Sequence, residues 1–337
     1  VSEIMLQQTR VDTVVDFYGR FLKAFPTVRA LARAEPDAVL KQWEGLGYYS
    51  RARNLHRAAG LIVKEHKGMF PRAPEKSLEL PGVGRYTAGA VLSIAYGTRL
   101  PVLDGNVERV LCRLLALRRP PADPVVKKTL WKEAARWADH GNPGDVNQGL
   151  MELGATVCVP EKPMCLVCPL VSSCRARALG IEEALPARRK APAPRTRPRA
   201  ALVLRRDDRV LILRRTGKGL LAGLWGFPSA FDADPGRSRI AVAKLARREG
   251  ARASALVPRG QVLHLFSHFR LALDLLEGSP LTAGKEGGDR RWVRPTDLDR
   301  FALSTLDRKI AEKAGVRIQG SGARNRQDLP LFARKTR

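Results

Sequence analysis

The chain has 337 residues, with 60 Lys plus Arg against 33 Asp plus Glu, a formal net charge of +27. Its 44% hydrophobic content can build packed cores, and its length fits roughly two or three domains. So basic a chain excludes an ordinary neutral metabolic enzyme as the default reading. It points to a polyanion partner, because each Lys or Arg near a phosphate releases condensed counterions. There is no uninterrupted apolar run of 18 residues and no charged-then-apolar leader, so neither membrane spanning nor secretion is supported. Four of the five cysteines crowd between 158 and 174, unlike a secreted disulfide framework. The expectation is a soluble, intracellular protein that faces nucleic acid.

In chain order, the sequence opens Val1-Ser2-Glu3-Ile4-Met5 with no initiator Met and a helical pattern already running, so we expect an incomplete N-terminus. Thr9 and Asp12 form a Thr-x-x-Asp capping box ahead of Val11, Val14, Val15, Tyr18, Leu22 and Phe25 at helical spacing. Further helical stripes cover 51–66, 86–96, 105–117, 125–139 and 146–156. Residues 186–199 carry four prolines and six basic residues and read as an extended linker. Beyond 200 the period changes to strands at 201–205, 210–214, 262–276 and 290–294, with one helical stretch near 239–248. An all-helical part therefore precedes an α+β part, and the polar tail from 319 is expected to be disordered.

Three local signals carry chemistry. Cys158-x6-Cys165-x2-Cys168-x5-Cys174 brings four soft thiolates together within 17 residues. The spacing suits structural zinc or an iron–sulfur cluster and leaves both open. Cys112 stands apart on a helical stripe and reads as a small buried hydrophobe. Leu80-Pro81-Gly82-Val83-Gly84 is a glycine-rich turn ahead of a helix, which can turn free backbone N–H groups and a positive dipole end toward a phosphate. Asp104 precedes Val107, Val110, Leu111 and Leu114, where a helix N-cap belongs.

The order of these signals resembles the endonuclease III superfamily of helix-hairpin-helix DNA glycosylases: a Leu-Pro-Gly-Val-Gly hairpin, an Asp about 20 residues later, then the four-cysteine loop. The likeness tightens at residues 2–9, 43–54 and 147–155, which look like the adenine DNA glycosylase (MutY) branch. The resemblance implies an all-α helix-hairpin-helix core with a [4Fe–4S] loop, followed by an α+β Nudix-like domain. The implied boundaries are a helical-barrel hairpin domain over 1–110, a helical iron–sulfur domain over 111–180 and a basic Pro-rich linker over 181–199. A Nudix-like 8-oxoguanine-recognition domain over 200–318 and the tail over 319–337 complete the chain. The implied cofactor is a [4Fe–4S] cluster on Cys158, Cys165, Cys168 and Cys174, and Gly82, Val83 and Gly84 are the implied phosphate grip.

The implied reaction is hydrolysis of the N-glycosidic bond of adenine mispaired with 8-oxoguanine or guanine, leaving an abasic site. Adenine departs poorly as an anion, so Glu3 is implied as the acid that protonates it, and a partly apolar pocket would favour the protonated carboxyl. Asp104 is implied to stabilise or trap the oxocarbenium-like sugar, with Asn106 orienting Asp104 or the water. Where lyase-competent relatives carry a Schiff-base lysine, this chain has Tyr86. A phenol cannot form an imine, so a monofunctional enzyme follows. Gln148 is implied to read the adenine edge, Gln8 and Tyr48 to wedge into the duplex, and Leu46 and Thr9 to contact the 8-oxoguanine side. Arg51, Arg53 and Lys162 are further candidates for phosphate contacts. Family residues upstream of the catalytic Glu, which help line the adenine pocket, are absent from this sequence.

In the C-terminal part, residues 223–228 and Leu265–His268 carry the Nudix-like likeness, and Phe266, Ser267 and His268 fit the loop implied to sense 8-oxoguanine. A Nudix hydrolase needs a glutamate-dense metal helix, whereas 238–250 offers only Glu249, so pyrophosphohydrolysis is rejected. Gln327–Phe332 resembles a bacterial sliding-clamp-binding peptide. The expected partner is double-stranded DNA carrying 8-oxoG:A or G:A mispairs, the expected state a monomer, and the expected location the bacterial cytoplasm and nucleoid. Two rival readings compete with this one. A bifunctional or thymine/uracil-directed glycosylase is disfavoured by Tyr86 and Gln148, and an idle DNA-binding module by the presence of Glu3 and Asp104.

Overall fold

The computed structural model describes residues 1–187, 195–217, 219–230, 244–250, 252, 255–266, 269–281 and 286–318. Helices α1 (Ser2–Met5), α2 (Val11–Ala24), α3 (Val28–Arg33), α4 (Pro36–Gln42), α5 (Ser50–Glu65) and α6 (Pro74–Leu78) come first. They are followed by α7 (Arg85–Tyr96), α8 (Gly105–Leu114), α9 (Pro124–Ala138), α10 (Pro143–Thr156) and α11 (Arg175–Ala178). The C-terminal part adds strands β1 (Arg195–Arg206), β2 (Arg209–Arg214), β3 (Trp225–Gly226), β4 (Ser229–Ala230), β5 (Val257–Leu265), β6 (Phe269–Gly278) and β7 (Arg290–Val293). Helices α12 (residues 244–248) and α13 (Thr305–Lys313) complete it. Among the described residues no helix is long and apolar enough to cross a membrane.

The chain divides into two compact units that interleave in sequence. One comprises Val1–Val14, Thr27–Arg33 and Asn54–Pro192; the other comprises Val15–Pro26, Ala34–Arg53 and Ala193–Arg337. In the first unit, α8 packs its apolar face, Val107, Val110, Leu111 and Leu114, against Val126, Leu130 and Ala134 of α9 and Leu150 of α10. Cys112 is fully buried in this core, and burial pushes its thiol up to about 11, which suits a packing role. A smaller core joins Ala58 and Ile62 of α5 to Leu80, Val83 and Ala88 around the hairpin. Proline at the first turn and a side-chain cap start α9 and α10: Asp123 accepts from Val125 and Val126, Asn142 from Gly144.

In the second unit the sheet runs β3-β2-β1-β6-β5, with β4 also on β1 and β7 also on β2. β1 pairs β6 in parallel and every other pairing is antiparallel. Strand alternation sorts β1 between two cores. Ala201 and Val203 face a layer that includes Leu306, Ile310 and Ala311 of α13. Ala200, Leu202 and Leu204 face Leu245, Ala246 and Trp292. A helix on each face of the sheet buries both surfaces, and this makes the α+β part a layered domain.

Several expectations need correction. The α2 stripe is rotated: Val14 and Phe21 are buried, whereas Val11, Val15 and Tyr18 are exposed. Two aromatics decide the face, since Phe21 meets Phe25 at 5.0 Å and Trp43 at 5.8 Å. The α2 turn opens on the Arg10 carbonyl, which accepts from Thr13 and Val14, while the Thr9 hydroxyl reaches Gln7 O at 3.5 Å. The run 262–276 is two antiparallel strands, because the chain reverses after Phe266, whose N–H donates to Phe269 O at 2.9 Å. The stretch read as linker ends inside a strand: Arg195–Arg199 pair with Phe269–Leu273. Pro198 is tolerated there although it lacks an N–H donor. Of the stretch 239–248, residues 244–248 are helical and the remainder lies outside the described residues, as does the tail with Gln327–Phe332.

Candidate active site

The site lies in the first unit. α1 is a single turn anchored by buried Ile4 and Met5, and it packs on α7. Tyr86, in the first turn of α7, donates its hydroxyl to Glu3 Oε2 at 3.1 Å and lies 3.7 Å from Met151 Sδ of α10. Gln7 Nε2 donates to the buried Thr87 hydroxyl at 3.0 Å, a second tie between the Glu3 segment and α7. Burial first, then the charge of Glu3, its hydrogen bond and the charge of Asp104 hold the Tyr86 phenol well above its usual range. Tyr86 is therefore a persistent proton donor to Glu3, and Asp104 lies within electrostatic reach of Tyr86.

Asp104 caps α8, accepting from Val107 N at 2.7 Å. Burial holds its carboxyl above the usual carboxylate range, against bonds from Val107 and Asn106 and the Arg109 charge that pull it down. The capped helix end adds a positive dipole beside it. Half-buried, Asp104 takes its hydrogen bonds from neutral amides, with the Arg109 charge acting on it from α8. The segment leading to it is fixed by Asn147, which is 1% exposed. Asn147 donates to Ser93 Oγ at 2.9 Å and Leu100 O at 2.8 Å, and accepts from Val102 N at 3.2 Å.

Two arginines on the face of α8 below Asp104 escaped the sequence reading. Arg109 donates to Asn106 Oδ1 at 2.8 Å, Gly154 O at 2.6 Å and Cys158 O at 2.7 Å. It thus links the residue beside Asp104 to the start of the cysteine loop. A Cβ at Gly154 would stand 2.6 Å from Asn106 Cβ, so only glycine lets α10 approach this closely. Arg113 is 1% exposed and donates to Cys158 Sγ at 3.3 Å and to the carbonyls of Val159, Pro160 and Leu185 at 2.7, 3.1 and 3.0 Å. The available signal was an arginine on the apolar stripe of α8, which demands internal partners.

The cysteine loop is built from short turns: Cys168 N donates to Cys165 O, Val171 N to Cys168 O and Cys174 N to Val171 O. All four thiols are half-buried and free of disulfides. Cys158 and Cys174 lie within electrostatic reach of Cys165, although among the described residues no three His, Cys, Asp or Glu side chains form a ligand set as they stand. Four soft donors beside a buried guanidinium suit an anionic thiolate-bound centre. The donor chemistry fits the cluster.

At the hairpin, Leu80 and Val83 are buried and Gly82 takes φ +80°, where a Cβ would meet Asn54 Cβ at 2.8 Å. Gly84 starts α7 with no side-chain cap, leaving its first-turn N–H groups for an outside acceptor. Gln148 is exposed on α10 and donates to Gly144 O at 3.2 Å. Gln8 and Tyr48 are exposed and hold positive φ of 59° and 48°. Thr9 is half-buried, and Leu46 is buried at 5% exposure. Phe266 stacks on Phe269 at 4.8 Å; Ser267 and His268 lie outside the described residues. Arg51 and Arg53 are not surface phosphate ligands here. Arg51 is buried and donates to Leu46 O and Gly47 O, and Arg53 donates to Ala222 O and Gly219 O. Glu249 is buried between Arg248 and Arg290, which removes it as a metal ligand.

Residues 1–136 match the HhH-GPD superfamily base excision DNA repair protein family, and residues 199–313 match the NUDIX domain family. An adenine DNA glycosylase of Homo sapiens is 37% identical over 92% of this chain and 66% of its own length. Adenine DNA glycosylases of Mus musculus (37% identical, 99% of this chain, 75% of that protein) and Schizosaccharomyces pombe (33%, 92% and 78%) are similar too. A thermostable thymine-DNA glycosylase structure is 28% identical over 53% of this chain and 82% of its own, with a TM-score of 0.47. By its two matched domains and the extent of these likenesses, the chain belongs to the adenine DNA glycosylases, hydrolases of base excision DNA repair that join a helical glycosylase core to a Nudix-like domain.

Proposed function

We propose that this chain removes adenine mispaired with 8-oxoguanine or guanine by monofunctional N-glycosidic hydrolysis, leaving an abasic site. The observation that carries this reading is the Glu3–Tyr86–Asp104 grouping, a carboxyl held by a phenol with a second, half-buried carboxylate in electrostatic reach. Tyr86 donates to Oε2 of Glu3 and leaves Oε1 to deliver a proton to the departing base. Asp104 stabilises or traps the cationic sugar, and Glu3 then takes a proton from the attacking water. Asn106 orients Asp104, and Gln148 reads the base turned out of the stack. Gly82, Val83 and Gly84 offer the open end of α7 to a phosphate. Gln8, Thr9, Leu46, Tyr48 and residues 266–268 are each assigned contacts with the duplex.

The same reading assigns a [4Fe–4S] cluster to Cys158, Cys165, Cys168 and Cys174. When bound, it supplies a four-point crosslink of the loop and a redox-active centre. Arg113 and Arg109 hold that loop on α8, and Arg109 carries it to Asn106. Anaerobically purified protein is expected to be brown with about four irons per chain; a colourless protein with one zinc would reject the assignment. Substrate choice is tested by single-turnover cleavage of duplexes carrying 8-oxoG:A, G:A, G:T and G:U. Excision confined to the two adenine mispairs supports the reading, and release of thymine or uracil in preference to adenine contradicts it.

A further inference from the structure

Within the second unit, the segment 36–53 is bolted to the C-terminal domain at three places. Asp37 of α4 accepts the Trp225 indole N–H at 3.1 Å and pairs with Arg214 at 2.9 Å. Arg53 donates to Ala222 O at 2.7 Å and Gly219 O at 3.1 Å. Arg308 of α13 donates through Nε to Glu44 Oε1 at 2.7 Å and through Nη2 to Asp299 Oδ1 at 2.9 Å. Lys41 joins this group, 2.6 Å from Glu44 Oε2 and 3.3 Å from Phe301 O. Gly223, at φ +79°, brings the C-terminal backbone so near α4 that a Cβ would stand 3.0 Å from Leu40 Cδ1.

Between these anchors runs the turn 43–49, whose conformation has to be enforced. Gly45, Gly47 and Tyr48 hold φ of +96°, +75° and +48°, and a tyrosine in the left-handed region persists only where its surroundings over-determine it. Trp43 Nε1 donates to Gly47 O at 3.1 Å, Gly45 N to the Tyr49 hydroxyl at 3.3 Å, and Arg51 to Leu46 O and Gly47 O at 3.3 and 3.2 Å. Glu44 sits inside that turn with its carboxylate 10% exposed, so its pairing with Arg308 is shielded and directional.

We infer that Arg308, acting through Glu44, is a positioning residue for the turn that carries Leu46 and Tyr48. The C-terminal domain then sets mispair discrimination by a mechanical route besides the 266–268 loop. The inference rests on the proposed function, since it concerns which mispair is preferred. It also means that deleting the C-terminal domain strips support from the turn, so point variants are the cleaner probe.

The test uses the full chain with Arg308→Gln and Glu44→Gln, singly and together. Single-turnover rates and affinities are measured on 8-oxoG:A and G:A duplexes, with amide hydrogen exchange followed over residues 43–49. Each single variant is expected to shrink the preference for 8-oxoG:A by roughly two- to tenfold, with the double variant no worse than either alone. Exchange in the turn is expected to rise while the C-terminal strands keep their protection. If Arg308→Gln loosens the whole sheet, Arg308→Lys, which keeps the charge and loses the fork, is measured instead and is expected to lose less on both readouts. Wild-type preference with wild-type exchange, or single effects that simply add, would overturn the inference. A wild-type protein that fails to cut 8-oxoG:A would instead sink the proposed function.

Discussion

Asp104 and Asp307 are carboxylates at the starts of helices, one in each unit, and they are held in opposite ways. Asp307 is fully buried and paired by both guanidinium arms of Arg215 at 2.9 and 2.7 Å, with Phe227 N at 3.1 Å and the Ser304 hydroxyl completing its shell. Glu249 of the same unit is likewise enclosed by Arg248 and Arg290. Asp104 is answered chiefly by amides, and its carboxyl sits above the usual range because burial outweighs them. A fully paired charge organises a core. A half-buried charge with neutral partners is left able to respond to a cation that forms beside it.

Asp104→Asn keeps the cap, since Asn caps as well as Asp, but removes the charge that the proposed function sets against the cationic sugar. Adenine release is expected to fall by about 10²–10³-fold, the scale for losing one transition-state charge partner. Stability should move the other way. A folded-state value raised above the unfolded one means that ionised Asp104 burdens the fold above that value, and the burden disappears as pH falls below the unfolded value near about 4. Asp104→Asn should therefore melt at an equal or higher temperature than wild type at neutral pH, with the gap closing on acidification. Wild-type activity should fall on its acid limb at a pH above the ordinary aspartate range, where protonated Asp104 can no longer stabilise the sugar. A lower melting point together with retained turnover would reverse the account.

Asp307→Asn leaves the Arg215 guanidinium with an incomplete partner in the core and should cost about 3–5 kcal/mol of stability, read by denaturant unfolding. The chemistry at Glu3 in the surviving folded fraction should persist. Tyr86→Phe is the mildest change: it keeps the ring and removes one hydrogen bond to Glu3, worth about 0.5–1.5 kcal/mol, so single-turnover excision should slow by roughly two- to tenfold. Borohydride should trap no stoichiometric covalent complex with either protein, and efficient trapping would reveal an amine nucleophile elsewhere in the chain.

Much of the fold and of the candidate site is legible in the sequence. The helices behind Tyr86, Asp104 and Gln148 follow from their apolar patterns, with side-chain caps at Asp104 and Asn142 starting α8 and α10. The hairpin glycines are written by the turn they make. What was not legible was tertiary. The stripe read for α2, Val11, Val14, Val15, Tyr18, Leu22 and Phe25, includes three exposed residues and omits Phe21, whose contact with Trp43 fixes the buried face. Local patterning cannot tell which of two apolar edges finds a partner.

The single strand expected over 262–276 is a hairpin because its reversal at Phe266 is marked by neither Gly nor Pro, only by Phe266-Ser267-His268. Arg109 and Arg113 were hidden in a basic excess that makes any one arginine look like surface charge, and their internal carbonyl and sulfur partners come from 45 or more residues away. Arg51 and Arg53 were misread for the same reason.

In the proposed function the central step is proton donation from Glu3 to adenine. Its most direct test is single-turnover adenine release from an 8-oxoG:A duplex by Glu3→Gln, with duplex affinity measured on the same preparation. The amide keeps the shape of Glu3 and its acceptor for Tyr86 but has no proton of the required acidity. The expected result is a loss of at least about 10²–10⁴-fold in rate with binding within a few-fold of wild type. Excision near the wild-type rate by Glu3→Gln would contradict the account.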